Sequence, residues 1–205
     1  MTVTAVKEIS GGCIKITSSE GSSFFIRPDY LEVVRSESIC SGTQFDEKES
    51  DDIIRAGFIC AAERQALFYL NRSEHSRCML ERKLEKKGHD RLAVQKALDR
   101  LENQKLLDDF RFAQAWLHNR LIVKAEGPLR LSSELASRGI KRSVIESALA
   151  DLFQTVKVED LFEKAFSKLV REGKEGKKLE AALVRKGFDL RYILQYIKNN
   201  KKNTE

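Results

Sequence analysis

The chain has 205 residues, enough to bury a core or form several small units, and its 33% charged residues and 2 prolines favour a helical protein over a β-sandwich or a disordered segment. It has no apolar run near the roughly 18 residues of a membrane-spanning helix and no secretion signal, so we expect a cytoplasmic protein. The net charge is +6, yet residues 1–60 hold 6 basic against 10 acidic side chains, so the basic excess lies in residues 61–205. This excess favours a polyanionic or acidic partner for that part of the chain. The alternative is that its helices are simply rich in solvated Lys and Arg.

The N-terminal segment has the composition of β-strands. Residues 3–9, 13–18 and 23–27 are apolar or β-branched stretches separated by glycine turns, which predicts a small three-stranded sheet. From Asp46 onward the pattern becomes helical, and the acidic run there suits a helix N-terminus because the helix dipole favours negative charge. We place a domain boundary near residue 45.

An internal repeat organises the rest of the chain. Two leucines four residues apart, followed four residues later by a glycine, recur three times at intervals of roughly 50 residues. The three sets are Leu80, Leu84 and Gly88; Leu131, Leu135 and Gly139; and Leu179, Leu183 and Gly187. Leucines at this spacing share one helix face, and a glycine in that place can adopt the left-handed conformation that ends a helix.

Each repeat contains apolar positions for three helices: one before the leucine pair, one holding it and one after the glycine. We therefore predict a mainly all-α fold of three tandem three-helix repeats in an elongated, solenoid-like array, preceded by the small sheet. The predicted domains are residues 1–45 for the sheet, 46–106 for repeat one, 107–156 for repeat two and 157–205 for repeat three.

The sequence contains no residue set that indicates catalysis. Asp108 and Asp109 stand where a helix begins, so we interpret them as capping residues and not as metal ligands. The four cysteines form no CxxC pair, His75 and Cys78 lack further ligands, and Trp116 fits an apolar core stripe. We expect no metal, no cofactor and no enzymatic activity.

Basic residues near the repeated glycines are the candidates for partner binding. A cation at a helix C-terminus can simply complement the helix dipole, but that explanation covers only one residue per helix. The further cations would form a basic stripe able to contact phosphates or an acidic protein groove. The candidates are Arg77, Arg82, Lys83, Lys87, Arg130, Arg138, Lys141, Arg142, Lys177, Lys178, Arg185 and Lys186.

Residues 61–198 resemble the RecX family of recombination regulators. Repeats one and three match weakly, and the most specific stretch lies in repeat two. The repeat-two stretch comprises Leu107-Asp108-Asp109-x-Arg111-Phe112-Ala113, then Arg120 and Gly127, then Arg130-Leu131-x-x-Glu134-Leu135-x-x-Arg138-Gly139-Ile140. One departure is Met79, where the family often has a glutamate after the capping serine, which removes a capping-box carboxylate.

The resemblance implies a non-enzymatic regulator of homologous recombination and DNA repair that binds the RecA-DNA filament and limits RecA activity. We expect a monomer whose main partner is that filament, with single-stranded DNA as a second partner to test. The alternative is a stand-alone helical nucleic-acid-binding module that acts through the basic stripe. Binding to single-stranded DNA that rises sharply when RecA and ATP are present would favour the regulator.

Overall fold

The computed structural model describes residues 1–9 and 11–202, and over these residues the chain forms one small sheet and nine α-helices. The strands are β1 (Val3–Ile9), β2 (Cys13–Ser18) and β3 (Ser23–Ile26). The helices are α1 (Glu47–Leu70), α2 (Arg77–Lys86), α3 (Arg91–Asn103), α4 (Asp109–Val123), α5 (Pro128–Ser137), α6 (Arg142–Thr155), α7 (Val158–Arg171), α8 (Gly176–Arg185) and α9 (Leu190–Lys202). The prediction of a mainly helical protein with three groups of three helices after a small sheet is confirmed.

The chain divides into two compact units, one of Met1–Leu107 and one that begins at Asp108. In the first unit the antiparallel sheet, in the order β1-β2-β3, shares one hydrophobic core with α1, α2 and α3. Ile16 and Ile26 of the sheet are fully buried in that core together with Ile53 of α1. The finer division at residues 45, 106 and 156 stays a prediction.

Helix α1 begins with a capping box, in which the Asp46 side chain accepts a hydrogen bond from the Glu49 backbone and the Glu49 side chain accepts one from the Asp46 backbone. Two buried carboxylates further along α1 hold the segment that precedes it. Glu63 accepts hydrogen bonds from Arg27 and from the Tyr30 hydroxyl. The apolar core alone would leave these loop donors without partners, so the buried acids fix the path of the chain between β3 and α1.

Asp52, the second of these buried carboxylates, binds backbone N–H groups, whereas Glu63 binds side chains. Its carboxylate accepts the backbone N–H groups of Glu32, Val33 and Val34 at 2.8 to 3.0 Å, and Arg55 adds a charged hydrogen bond at 2.7 Å. Burial by itself raises the pKa of a carboxylic acid, but these hydrogen bonds outweigh it and lower the pKa of Asp52 to about 2.

The second helix of each group ends as the repeat predicts. The residue after Gly88 donates its backbone N–H to Leu84, and Gly88 donates to Glu85, which together form a Schellman motif. Gly139 and Gly187, each with the residue that follows it, form the same two hydrogen bonds. The three glycines have φ values of 88°, 79° and 90°, the left-handed conformation that their positions require.

In the second unit the C-terminus of α8 meets the N-terminus of α5, backbone to backbone. The N–H of Gly127 donates to the carbonyl of Lys186 at 2.8 Å, and the N–H of Leu129 donates to that of Gly187 at 3.2 Å. Gly127 is the N-cap of α5 and offers no side chain for capping, so the carbonyls at the end of α8 supply the missing acceptors. The two helix dipoles thereby meet head to tail.

The Asp52 carboxylate predicts a specific acid dependence of stability. Because the pKa of Asp52 falls from 3.8 to about 2 on folding, its contribution is complete above about pH 4 and is lost as the pH falls through 2. The shift corresponds to about 2.5 kcal/mol. Asp52→Asn should remove that part of the pH dependence, measured as the free energy of unfolding in urea between pH 2 and 6. An unchanged acid limb in the variant would contradict the assignment.

The contact between α5 and α8 predicts different costs for two glycine substitutions in one unit. A Cβ on Gly187 would lie 2.3 Å from the backbone nitrogen of Arg130, whereas a Cβ on Gly173, at φ 75°, would meet nothing within 4 Å. Gly173→Ala should cost about 1 kcal/mol from backbone strain alone. Gly187→Ala should cost about 3 kcal/mol or more, because the helix ends must separate. The fluorescence of Trp116, the one tryptophan of the sequence, reports urea unfolding of this unit. Equal costs would contradict the close contact.

Candidate partner-binding surface

The structure places the twelve basic candidates on or beside the second helix of each group and the turn after it. Arg77 opens α2 and Lys87 is its C-cap, while Arg138 and Lys186 are the C-caps of α5 and α8. The others lie in the helices or at the next helix start. The candidates fall into two classes, distinguished by whether contacts within the chain hold their side chains in place or leave them available to a partner.

Arg130 and Arg138 belong to an ion network within the second unit. Arg130 contacts Glu126 and Glu134 at 3.2 Å each, and Arg138 contacts Glu134 at 2.9 Å. The hydrogen bond from Arg138 lowers the pKa of Glu134 below its ordinary value. Arg120, which was not among the candidates, donates to Glu126 at 2.5 Å, and Glu126 is only 5% exposed. These arginines hold α4, α5 and the turn between them together.

Trp116 lies at the edge of this network and not in the core. Its ring is half-buried, with the guanidinium groups of Arg138 and Arg120 at 4.7 and 5.4 Å from the ring centre. The prediction of a core position was therefore wrong, because the apolar spacing of α4 does not reveal that two cations cover this ring.

Three further candidates also have partners in the chain. Arg77 pairs with Asp99 at 2.7 Å and with Glu102 at 2.5 Å, which ties α2 to α3. Lys83 lies 2.6 Å from the ring nitrogen Nε2 of the buried His75. Burial and the neighbouring Lys168 lower the pKa of Lys186, whose ammonium reaches a backbone carbonyl of the α4–α5 turn at 3.4 Å.

Arg142 and Arg185 are exposed, and their side chains make local contacts with residues one turn away in the same helix. Arg142 pairs with Glu146 one turn away at 2.7 Å, and its side chain is 92% exposed. Arg185 donates to the carbonyl of Ala181 at 3.3 Å. Contacts of this kind contribute little to stability, so both side chains are available to a partner.

Five candidates are exposed and, among the residues that the structure describes, make no hydrogen bond or ion pair through their side chains. We call them the unpaired cations. They are Arg82, Lys87, Lys141, Lys177 and Lys178.

The unpaired cations at helix N-termini are the most informative. Lys141 is the N-cap of α6, and Lys177 and Lys178 lie in the first turn of α8; neither first turn contains an acidic residue. A positive charge there opposes the helix dipole and costs about 0.3 to 1 kcal/mol. These lysines therefore do not serve their own helices, which favours a role toward an anionic partner.

The remaining sequence candidates have structural roles. Asp108 is the N-cap of α4 and accepts hydrogen bonds from the backbones of Phe110 and Arg111, which confirms the capping interpretation. Over the described part of the chain, no group of three His, Cys, Asp or Glu side chains could hold a metal ion. Within the same part, no helix is long and apolar enough to cross a membrane.

Comparison with known proteins gives a consistent result. The family model described as the second three-helix domain of RecX matches residues 108–149, and that of the first three-helix domain matches residues 62–101. The regulatory protein RecX of Treponema pallidum is 38% identical over 127 residues, which cover 62% of this chain and 77% of that protein. The regulatory protein RecX of Prosthecochloris aestuarii is 34% identical over 136 residues, which cover 65% and 89%.

Two solved structures share the fold. A crystal structure of regulatory protein RecX aligns with a TM-score of 0.75 and 23% identity, over 97% of this chain and 98% of that one. A crystal structure of RecX from Lactobacillus salivarius aligns with a TM-score of 0.56 and 22% identity, over 69% and 97%.

The two classes of candidate should respond differently to charge reversal. Arg130→Glu would place a third carboxylate beside Glu126 and Glu134, and should cost about 3 kcal/mol because Glu126 is buried. Lys141→Glu would place a negative charge at the start of α6, where the dipole favours it, and should leave the stability unchanged or slightly higher. Thermal melting followed by circular dichroism measures both. Equal melting temperatures would show that the ion network contributes nothing.

Proposed function

We propose that this chain, which belongs to the RecX family of regulatory proteins, binds the RecA filament on DNA and limits the recombinase activity of RecA. In this role it regulates homologous recombination and DNA repair, acting in the cytoplasm as a monomer and without catalysis of its own. Membership of the family is the observation that carries the proposal, since the family resemblance in the sequence implies this partner.

The unpaired cations support the proposal chemically. A RecA-DNA filament contains DNA phosphates, and these attract exposed Lys and Arg side chains. Lys177 and Lys178 are neighbours in the first turn of α8, form no ion pair with the acidic residues that the structure describes, and oppose the dipole of their helix. We infer that they contact the filament, with Lys141 and the exposed Arg142 as further contacts from the same unit.

Arg130 and Arg138 contribute to this surface indirectly. They pair with Glu126 and Glu134, the same carboxylates that contact Arg120 of α4, so the shared acids fix α5 relative to α4. Arg130 also donates to the carbonyl of Arg185 at 3.2 Å. The network therefore positions the end of α8, where Arg185 is exposed. A partner would meet a rigid helix end and not a loose loop, which reduces the entropy lost on binding.

The prediction is that Lys177→Glu with Lys178→Glu weakens binding to RecA filaments by about tenfold or more, because each contact changes from attraction to repulsion. The measurements are titration of filaments formed on single-stranded DNA and inhibition of RecA-catalysed strand exchange, at about 0.15 M salt. The fold should stay intact, since both side chains are exposed.

The matched control is Lys164→Glu with Lys198→Glu, which changes the net charge equally at exposed positions of α7 and α9. The control should bind filaments within about twofold of the wild type, because a diffuse change in charge acts only through screened, long-range attraction. If both double variants bind filaments alike, Lys177 and Lys178 are not contacts. If the wild type binds naked single-stranded DNA as tightly as it binds filaments, the chain is a stand-alone nucleic-acid-binding module.

A further inference from the structure

The N-terminal sheet carries a row of side chains that the proposed function does not use. In the antiparallel register, Lys7 lies opposite Lys15 and Lys15 lies opposite Phe25, so the three residues share one face across all three strands. The opposite face carries Ile16 and Ile26, which are fully buried in the core. The row therefore lies on the face directed away from the buried isoleucines.

Helix α1 packs on the core face, but its Arg64 side chain reaches the Phe25 end of this row at the β3 edge. The guanidinium of Arg64 lies 3.8 Å from the centre of the Phe25 ring. Phe68, one turn later, is 51% exposed, and the guanidinium of Arg72 lies 4.8 Å from the centre of its ring. Phe68 is exposed and lies outside the hydrophobic core, which favours a role in binding. The cations on either side of it, Arg64 and Arg72, indicate an anionic ligand.

A cavity of about 540 Å³ opens between β3 and α1 at this place. Gly57 and Ala61 form the part of its wall that has only short side chains. The other lining residues are Ser23, Phe24, Phe25, Arg64, Gln65, Phe68 and His89. None of the described side chains that line it is acidic, although residues 1–60 carry more acidic than basic side chains. The cavity has the size of an ordinary ligand pocket, with aromatic and basic walls.

We propose that the β3 edge of the sheet, where the outer row of side chains meets Arg64 and Phe68 of α1, binds single-stranded nucleic acid. Bases would stack on Phe68 and on the Phe25–Arg64 pair, and Lys7, Lys15 and Arg72 would contact phosphates. The Gln65 amide lines the cavity and, because it can both donate and accept hydrogen bonds, would bond to a base edge. A double helix fits less well, because its bases are stacked inside and cannot reach the rings.

This site is separate from the unpaired cations of the second unit and does not depend on RecA. The test is a fluorescence-anisotropy titration of the full chain, without RecA, against a labelled oligothymidylate of about twenty nucleotides, long enough for one site. Phe68→Ala should weaken binding about tenfold or more, because a stacked base is lost. Lys7→Glu with Lys15→Glu should lower the slope of log affinity against log salt by about 1.4, the loss of two phosphate contacts on a single strand.

Phe58→Ala is the matched control, since Phe58 also lies on α1 and is 59% exposed, but lines a neighbouring, more apolar cavity. It should leave binding to the oligonucleotide unchanged. Phe68→Leu keeps the apolar bulk and removes the ring, so it should bind as weakly as Phe68→Ala while melting like the wild type. If Phe68→Leu binds the oligonucleotide like the wild type, the Phe68 ring does not stack on a base and the proposed stacking site is wrong. If Phe68→Ala and Phe58→Ala bind equally well, the proposal is wrong. In either case the filament titration with the α8 variant stands unaffected.

Discussion

The second unit depends on one backbone contact, in which the last carbonyls of α8 accept the first N–H groups of α5. Every helix leaves such groups without partners, and most proteins satisfy them with a capping side chain or with water. Here Gly127 and Gly187 carry no side chain, so the two helix ends approach until their backbones bond directly. The α5 residues that follow, Arg130 above all, can then reach both the acids of α4–α5 and the carbonyl of Arg185.

The helix pattern could be predicted from the sequence because the rules involved are local. A leucine pair followed by glycine specifies a buried face and a left-handed helix end, and all three copies behave alike. The contact between Gly127 and Gly187 could not be predicted in the same way, since the two residues are far apart in the chain and a glycine at a helix end already has a local explanation.

The candidate surface was predictable only as a set of residues. Arg138 and Lys141 look equivalent in the sequence, yet Arg138 pairs with Glu134 and covers Trp116, whereas Lys141 lies exposed at the start of α6. The sequence gives charge but not the distance to the nearest acid. Glu126 shows why this matters: one buried carboxylate engages Arg120 and Arg130, and so removes a candidate from the surface. A first helical turn without acidic residues, as in α6 and α8, was the signal that could have separated the cations available to a partner from those held within the chain.

The head-to-tail contact also has a consequence for synthesis on the ribosome. Gly127 leaves the exit tunnel well before Gly187, and domains in general fold from the N-terminal side as they emerge. Until Gly187 is out, the first N–H groups of α5 lack their acceptors, and the nascent second unit cannot complete its structure. The first unit has its own core and can close earlier. A chain released before residue 187 would thus carry an incomplete second unit together with a complete first unit.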